Sequence, residues 1–481
     1  MQSIDGLTIE AHFSIREALN LINKNARGIC FVTQAGRLVG VATDGDIRRF
    51  LLEHEDLDRP IQDAMMRTFT ALPVGTDEHL IRQAFSSRVK MIPLLDSQGI
   101  IVDFADVQKS HRIPVLEPEL SGNELAYVQD CITTKWISSQ GAYVRRFEEM
   151  FEGLHPNTHA LAVSSGTTAL HLALVALGVG PGDEVIVPDL TFAASANAVL
   201  FCGATPVLCE IDLNTWCLDV HEAAKLITPY TKAIMAVHLY GQVCQMDDLC
   251  HLVHSSQLLL IEDCAEAIGS QWRGQPVGTF GDAAAFSFFG NKTISTGEGG
   301  MVQFRDSVIA QHAKVLRDHG MSPGKRYWHE MVGFNYRLTN LQAAIGVAQL
   351  ERLTAIIHRK QLIAALYQSK LSQIEGIAHL PQNIEDVLHS SWLFTVILDE
   401  GINRDEVMRQ LLHYGVDTRP VFYPMHQMPP YQSLRTSESL QCSNYIAAQG
   451  LSLPSSVTLQ EDDIVYVASL LESVLEKQSC D

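Results

Sequence analysis

Lys292 is the residue with the most distinctive chemical setting in this 481-residue chain. It follows the apolar run Ala284-Ala285-Phe286-Ser287-Phe288-Phe289 and the turn Gly290-Asn291, and it precedes Thr296-Gly297-Glu298-Gly299-Gly300. The run predicts a buried strand, and Met301-Val302-Gln303-Phe304 predicts another. A lysine on a tight turn between buried strands is placed where its amine loses charge more easily, as a Schiff-base lysine requires. Three other segments carry complementary groups. Ser164-Ser165-Gly166-Thr167-Thr168 lies between a predicted strand, 160–163, and a helix apolar nearly all round, 169–177. Small residues, hydroxyls and the N–H groups of a helix start form a cup for a phosphate. Leu258-Leu259-Leu260-Ile261 runs directly into Glu262 and Asp263. The C-terminal end of a strand is where open α/β sheets bind ligands. A buried aspartate there needs a charged partner or several donors, and a protonated pyridine nitrogen is such a partner. Phe192, just past the predicted strand 184–188, offers an aromatic face for a planar ring. Ser287, five residues before Lys292, is within reach of a phosphate held beside the lysine.

Each feature has an ordinary reading. The lysine could sit on a surface turn, the hydroxyls could form a helix N-cap, Asp263 could cap the next helix, and Phe192 could belong to the core. Together, however, a lysine nucleophile, a pyridinium partner, a phosphate cup and a stacking ring are the requirements of a pyridoxal phosphate site.

The elements that must position these groups alternate. From Glu119 onward short apolar strands and helices follow one another, the mark of an α/β domain with a largely parallel sheet. Gly178 is the expected C-cap of the 169–177 helix. Farther on, 339–353 reads as a helix rich in small residues, continuing as helix to about Leu371. Trp392–Leu398 reads as a strand, and Arg404–Tyr414 and Asp462–Leu475 as helices. The segment Thr418–Tyr431, rich in aromatic residues, Pro and His, reads as a rigid substrate loop.

The motifs Ser165–Leu170, Asp263-Cys264-Ala265-Glu266-Ala267, Phe286–Phe289 and Lys292–Gly300 resemble the DegT/DnrJ/EryC1/StrS sugar-nucleotide aminotransferases, over residues 113 to 475 or so. This resemblance implies an α/β, fold-type I pyridoxal phosphate enzyme. Its large domain, 113–355, would carry a mainly parallel sheet, and its small C-terminal domain would be 356–481. It implies that Lys292 forms the Schiff base and Asp263 pairs the pyridine nitrogen. Phe192 would stack on the ring, while Gly166, Thr167, Thr168 and Ser287 hold the phosphate. Glu266 would stand near the cofactor's 3-hydroxyl. Asn335 would reach the phosphate of a neighbouring subunit, which implies a homodimer or a higher homo-oligomer. The segments 326–329, 332–337 and 423–426 resemble the branch that aminates C4 of GDP-4-keto-6-deoxymannose to give GDP-perosamine. They make Arg337, Tyr423 and His426 candidate substrate-binding residues, with L-glutamate as amino donor. UDP- and dTDP-linked ketosugars are alternative acceptors. Members of the family that dehydrate sugars carry His at the lysine position, so Lys292 argues against that activity.

The first 110 residues form a separate module. Helix 15–23, strands 28–33 and 38–43 and a helix from Asp44 to Leu52 are followed by a weaker copy at a spacing of roughly sixty residues. That copy comprises a helix 76–88, strands 91–95 and 100–102, and a helix from about Asp106. Gly40-Val41-Ala42-Thr43-Asp44-Gly45-Asp46 resembles the signature of CBS domains, which pair in tandem and bind adenine nucleotides. That implies Thr43 and Asp46 as nucleotide contacts. The second copy has Asp103 where Thr or Ser is usual and keeps Asp106. One rival reading is a pair serving only packing or oligomerisation; another is a nucleotide-sensing CBS protein whose aminotransferase domain is only a scaffold.

The whole chain sets limits. Lys and Arg number 35 against 55 Asp and Glu, a formal charge of −20, which argues against nucleic acid as partner. No apolar run approaches the roughly 18 residues of a membrane span. The N-terminus does not read as a signal peptide. Ten cysteines without a CxxC or a Cys/His pairing predict neither a structural metal nor a disulfide framework. A reducing, cytoplasmic setting is the expectation.

Overall fold

The computed structural model describes residues 4–25, 27–76, 80–81, 84–86, 89–106, 112–382 and 384–478. The chain divides into two compact units. One comprises Met1–Ile113 with His413–Val416, and the other Pro114–Leu412 with Asp417–Asp481.

The first unit contains a duplication visible in its sheets. Strands β1 (Thr8–Glu10), β2 (Ile29–Gln34) and β3 (Arg37–Thr43) form one sheet, and β4 (Leu72–Pro73), β5 (Met91–Leu95) and β6 (Ile101–Asp106) another. In each, the first pair is parallel and the second antiparallel. Helices α1 (Ile15–Asn25) and α2 (Asp44–His54) complete the first copy around Ile15, Ala18, Val32 and Ile47, all buried. Thr43 starts α2 through a capping box: its hydroxyl accepts from the Asp46 N–H, and the Asp46 carboxylate accepts from the Thr43 N–H. The expected strand 100–102 extends to Asp106, so Asp103 and Asp106 lie within β6. Much of the expected 76–88 helix, and the helix expected from Asp106, lie outside the described residues.

The second unit is built on a seven-stranded sheet. Its strands are β7 (His159–Val163), β8 (Glu184–Pro188), β9 (Thr205–Cys209), β10 (Thr231–Val237), β11 (Leu259–Asp263), β12 (Ala283–Ser287) and β13 (Gly300–Phe304). Their order is β7-β13-β12-β11-β10-β8-β9, and only β13 runs against its neighbours. The central strands are apolar on both faces, as strands covered by helices on both sides must be. Met235, Ile261 and Ala285 pack against one side; Ile234, Leu260 and Ala284 pack against the other. Helix α3 (Gly166–Ala176) follows β7 and starts three residues earlier than its apolar pattern, because Ser165 caps it and Thr168 closes a capping box. Gly178, at φ 77°, ends it; the N–H groups of Gly178 and Val179 reach back to Val175 and Leu174. The expected strand 284–289 stops at Ser287, because the backbone of Phe288 leaves the sheet to pair with Gly299 and Thr296.

Two further helices, α4 (Asn340–Glu351) and α5 (Leu353–Leu371), replace the single long helical stretch, with a break at Arg352. A four-stranded sheet follows, from β14 (Ile377–His379), β15 (Phe394–Leu398), β16 (Arg419–Pro420) and β17 (Gly450–Leu453). Lys360 on α5 is buried, and its Nζ donates to the carbonyls of Trp392 and Ser455 at 3.0 and 2.9 Å. Burial pushes its amine down to about 7. The unfolded chain therefore holds one more proton than the folded one between pH 7 and the ordinary lysine range near 10.4, so stability rises with pH across that window. Lys360→Met should remove this slope, about 1.4 kcal/mol per pH unit at its steepest. Urea midpoints from pH 7.5 to 10 measure it, and parallel curves for the two proteins would refute the assignment.

Candidate active site

The parallel strands end on one edge, and the candidate residues gather there. Asp263 closes β11, paired with Val237 of β10 on one side and Ala285 of β12 on the other. Ser287 closes β12 opposite Gly300, and Gly300 in turn faces Val163, the last residue before the cup. The approach is tight. A Cβ on Gly300 would come within 2.4 Å of the Ser165 carbonyl, and one on Gly166 within 2.8 Å of the Ser287 Cβ. Glycine at these two positions lets the start of α3 press against the ends of β12 and β13, so the cup and the lysine loop meet.

Asp263 is buried, and its carboxylate has two donors: the Ser195 hydroxyl at 2.8 Å and the Ala265 N–H at 3.1 Å. Burial raises its proton affinity, while Ser195, Ala265 and the charge of Lys292 oppose that rise. Ser195 is itself held by Thr191 at 2.9 Å. Lys292 Nζ lies 3.2 Å from Glu266 Oε1, and the other oxygen of Glu266 accepts from the Tyr240 N–H at 3.0 Å. Burial raises the Glu266 carboxyl as well, opposed first by Lys292. Phe192 is 59% exposed, and its ring centroid lies 5.8 Å from that of Phe422.

The phosphate cup is narrower than its sequence suggests. The Thr168 hydroxyl accepts from the Ser165 N–H and donates to the Ser165 carbonyl, so it is engaged in the cap. The donors aimed past the helix start are the first-turn N–H groups of Gly166 and Thr167, with the Thr167 and Ser287 side chains beside them. Tyr336 and Arg337 lie close to this cup in the same chain: Arg337 bridges to Val163, and the Tyr336 carbonyl accepts from the Ser164 N–H, while Asn335 bridges to Asp318. Arg337 forms an ion pair with Asp318 at 3.0 Å and donates to the side-chain amide oxygen of Asn335 at 3.3 Å. Tyr423 is exposed. His426 donates through Nδ1 to the buried Asp189 at 2.7 Å, and the same carboxylate accepts from the His426 N–H at 2.9 Å. Burial raises the Asp189 carboxyl, and His426 opposes that rise.

In the first unit, the Thr43 hydroxyl and N–H both bind Asp46, whose other oxygen pairs with Arg49. Asp106, the matching residue of the second copy, pairs with Arg27.

Sequence reasoning missed Ser195, Asp189, Tyr240 and Trp392. Their only signals are positional: Ser195 stands four residues after Thr191, and Asp189 directly follows a strand.

A buried carboxylate seeking a cation, a lysine beside a second buried carboxylate, an exposed ring and a helix start crowded by glycine fit pyridoxal 5′-phosphate in every part. Fold and site define a pyridoxal phosphate enzyme of fold-type I. The DegT/DnrJ/EryC1/StrS aminotransferase family model matches residues 118–472, and the chain belongs to that family. It is a pyridoxal phosphate-dependent aminotransferase. The CBS domain model matches residues 4–53. The chain is 49% identical to GDP-perosamine synthase of Caulobacter vibrioides over 76% of its own length and 98% of that protein. It is 46% identical to GDP-perosamine synthase of Vibrio cholerae over 75% of its length and 98% of that protein. Among solved structures, DesV of S. venezuelae superposes with a TM-score of 0.72 at 36% identity, covering 76% of this chain and 99% of that one. Among the described residues no helix is long and apolar enough to cross a membrane.

Ser195→Ala removes one of the two donors on Asp263. A hydrogen bond to a buried charge contributes about 1.5–3 kcal/mol to stability, so the cofactor-free variant should be less stable by about that much and unfold at a lower urea midpoint. Urea unfolding of the cofactor-free proteins measures this. An unchanged midpoint would show that Asp263 is satisfied without Ser195.

Proposed function

We propose that this enzyme transfers the amino group of L-glutamate to C4 of GDP-4-keto-6-deoxymannose, giving GDP-perosamine for surface polysaccharide biosynthesis. Likeness to GDP-perosamine synthases along nearly their whole length carries the choice of acceptor. When bound, pyridoxal phosphate supplies the carbonyl carbon that receives the amino group and a ring that takes up the electron pair released at the donor's α-carbon. The chain's own residues do the rest. Asp263 keeps the proton on the ring nitrogen, and its burial makes that pairing strong. Lys292 Nζ takes the proton from the donor's α-carbon and returns one in the second half-reaction. Glu266 holds that amine in place between turns. Phe192 covers one face of the ring, and the N–H groups at the start of α3, with Thr167 and Ser287, anchor the phosphate. Arg337, Tyr423 and His426 contact the sugar nucleotide, with Asp189 fixing the orientation of the His426 ring.

The same reading gives a homodimer in which Asn335 serves the neighbouring subunit's phosphate site. It also gives a CBS pair whose first copy takes an adenine nucleotide at Thr43 and Asp46. A phosphate arriving at Thr43 must displace the Thr43–Asp46 bond.

Purified enzyme with glutamate and a panel of GDP-, UDP- and dTDP-linked 4-ketosugars, read as 2-oxoglutarate formed, tests the acceptor. Turnover should be greatest with the GDP sugar, and preference for another base overturns the assignment. Lys292→Ala should lose turnover and the borohydride-sensitive visible absorbance while keeping its circular dichroism spectrum. Mixing Lys292→Ala with Asn335→Ala protein under subunit exchange tests the shared site. If Asn335 acts across the dimer, both lesions fall in one site of the heterodimer, and activity rises above either parent. If it acts within its own subunit, no gain appears.

A further inference from the structure

The amine of Lys292 has a second neighbour that the chemistry above does not use. Its Nζ lies 4.0 Å from the centroid of the Trp392 ring, over the indole face. Indole is the strongest π partner for a cation among the side chains. Trp392 is only 3% exposed, and its orientation is fixed from several directions. Its Nε1–H donates to the carbonyl of Asn291, the residue before Lys292, at 2.7 Å. Its own carbonyl accepts from Lys360. Its ring stacks on Tyr240, with centroids 5.9 Å apart and planes 19° from parallel. Tyr240 in turn donates its N–H to Glu266, the carboxylate on the other side of the amine. One connected frame therefore holds the backbone beside Lys292, the indole face and the carboxylate.

We propose that Trp392 is the positioning residue that receives the protonated amine of Lys292 whenever it is not bonded to the cofactor, the indole face and Glu266 together forming its seat. The physical reason is that the amine becomes a cation each time it takes the proton from substrate, in a pocket where Lys292 is only 13% exposed. A cation there needs compensation besides water. A carboxylate alone would supply it but would also hold the proton tightly. An indole face attracts the cation but has no site for its proton, so the charge is stabilised and the proton stays on Nζ until substrate takes it. A tryptophan that served only as core filling would give the same packing with any electron density on its ring.

The proposal rests on Lys292 being the lysine that bonds the cofactor, and the test separates the two. Site-specific incorporation of mono-, di-, tri- and tetrafluorotryptophan at position 392 preserves the indole shape while progressively weakening its negative face. In cofactor-free protein at pH 7, carbamoylation of Lys292 by cyanate, quantified on its peptide by mass spectrometry, should accelerate along the series. An acceleration of roughly two- to tenfold is expected, because only the uncharged amine reacts. Trp392→Phe, which keeps a π face but loses the N–H, should label more slowly than Trp392→Leu. A flat series overturns the role of Trp392, as does Phe labelling as fast as Leu. Separately, borohydride reduction of the wild-type protein with pyridoxal phosphate should fix the cofactor on Lys292. Fixation on another lysine overturns the site reading itself.

Discussion

The carboxylate of Asp263 is the constraint on which the catalytic unit depends. It is charged chemistry at the end of a central strand, in a sheet whose neighbouring strands are apolar on both faces. Such a group survives burial only if its surroundings are arranged around it. The fold does this with elements far apart in sequence. β10 and β12 fix the backbone on either side of it, Ser195 comes from the helix after β8, and Lys292 supplies a compensating charge. A second carboxylate one residue earlier shows the contrast. Glu262 is also fully buried, and burial acts to raise it. The hydrogen bonds from His238 and from the N–H groups of Gly278 and Gly281 outweigh that, leaving it lowered. Phe280 adds another N–H donor to the same side chain. Glu262 is a satisfied structural anion, whereas Asp263 keeps an unmet demand for a cation. Consecutive acids on one strand thus take opposite roles because their side chains leave opposite faces of the sheet.

The aromatic residues extend this arrangement. Trp392, Tyr240, Phe422 and Phe192 form a chain of ring contacts that runs from the lysine amine to the exposed ring of Phe192. These residues come from four separated stretches of sequence. Each ring restrains the next, so the Phe192 ring is placed by the same packing that holds the amine.

Much of this was legible in the sequence, for a definite reason. Asp263 and Ser287 end strongly apolar strands, and Gly166 and Lys292 follow such strands within a few residues; strand ends are marked by an abrupt change from apolar to polar or small residues. Ser165 was legible as a cap, and it is one: its capping box with Thr168 takes up a hydroxyl that the phosphate reading had assigned to the ligand. Groups placed by long-range contact were not legible. Nothing near Trp392 in the chain shows that its ring will meet a lysine a hundred residues earlier. Nothing near Asp189 announces His426. The duplication in the first unit was visible as a spacing, but the likeness of its two sheets required the strand directions.

The loop that carries Lys292 leaves the sheet at Ser287 and returns at Gly300, on adjacent antiparallel strands. Its two ends are joined at once, with Phe288 bonded to Gly299 and to Thr296. It is a clamped span rather than a free arm. The conformational entropy of locating the amine is lost when the protein folds, not when the cofactor arrives. Whatever docks there meets an amine whose search is already over, and lengthening this loop would return that search to every binding event.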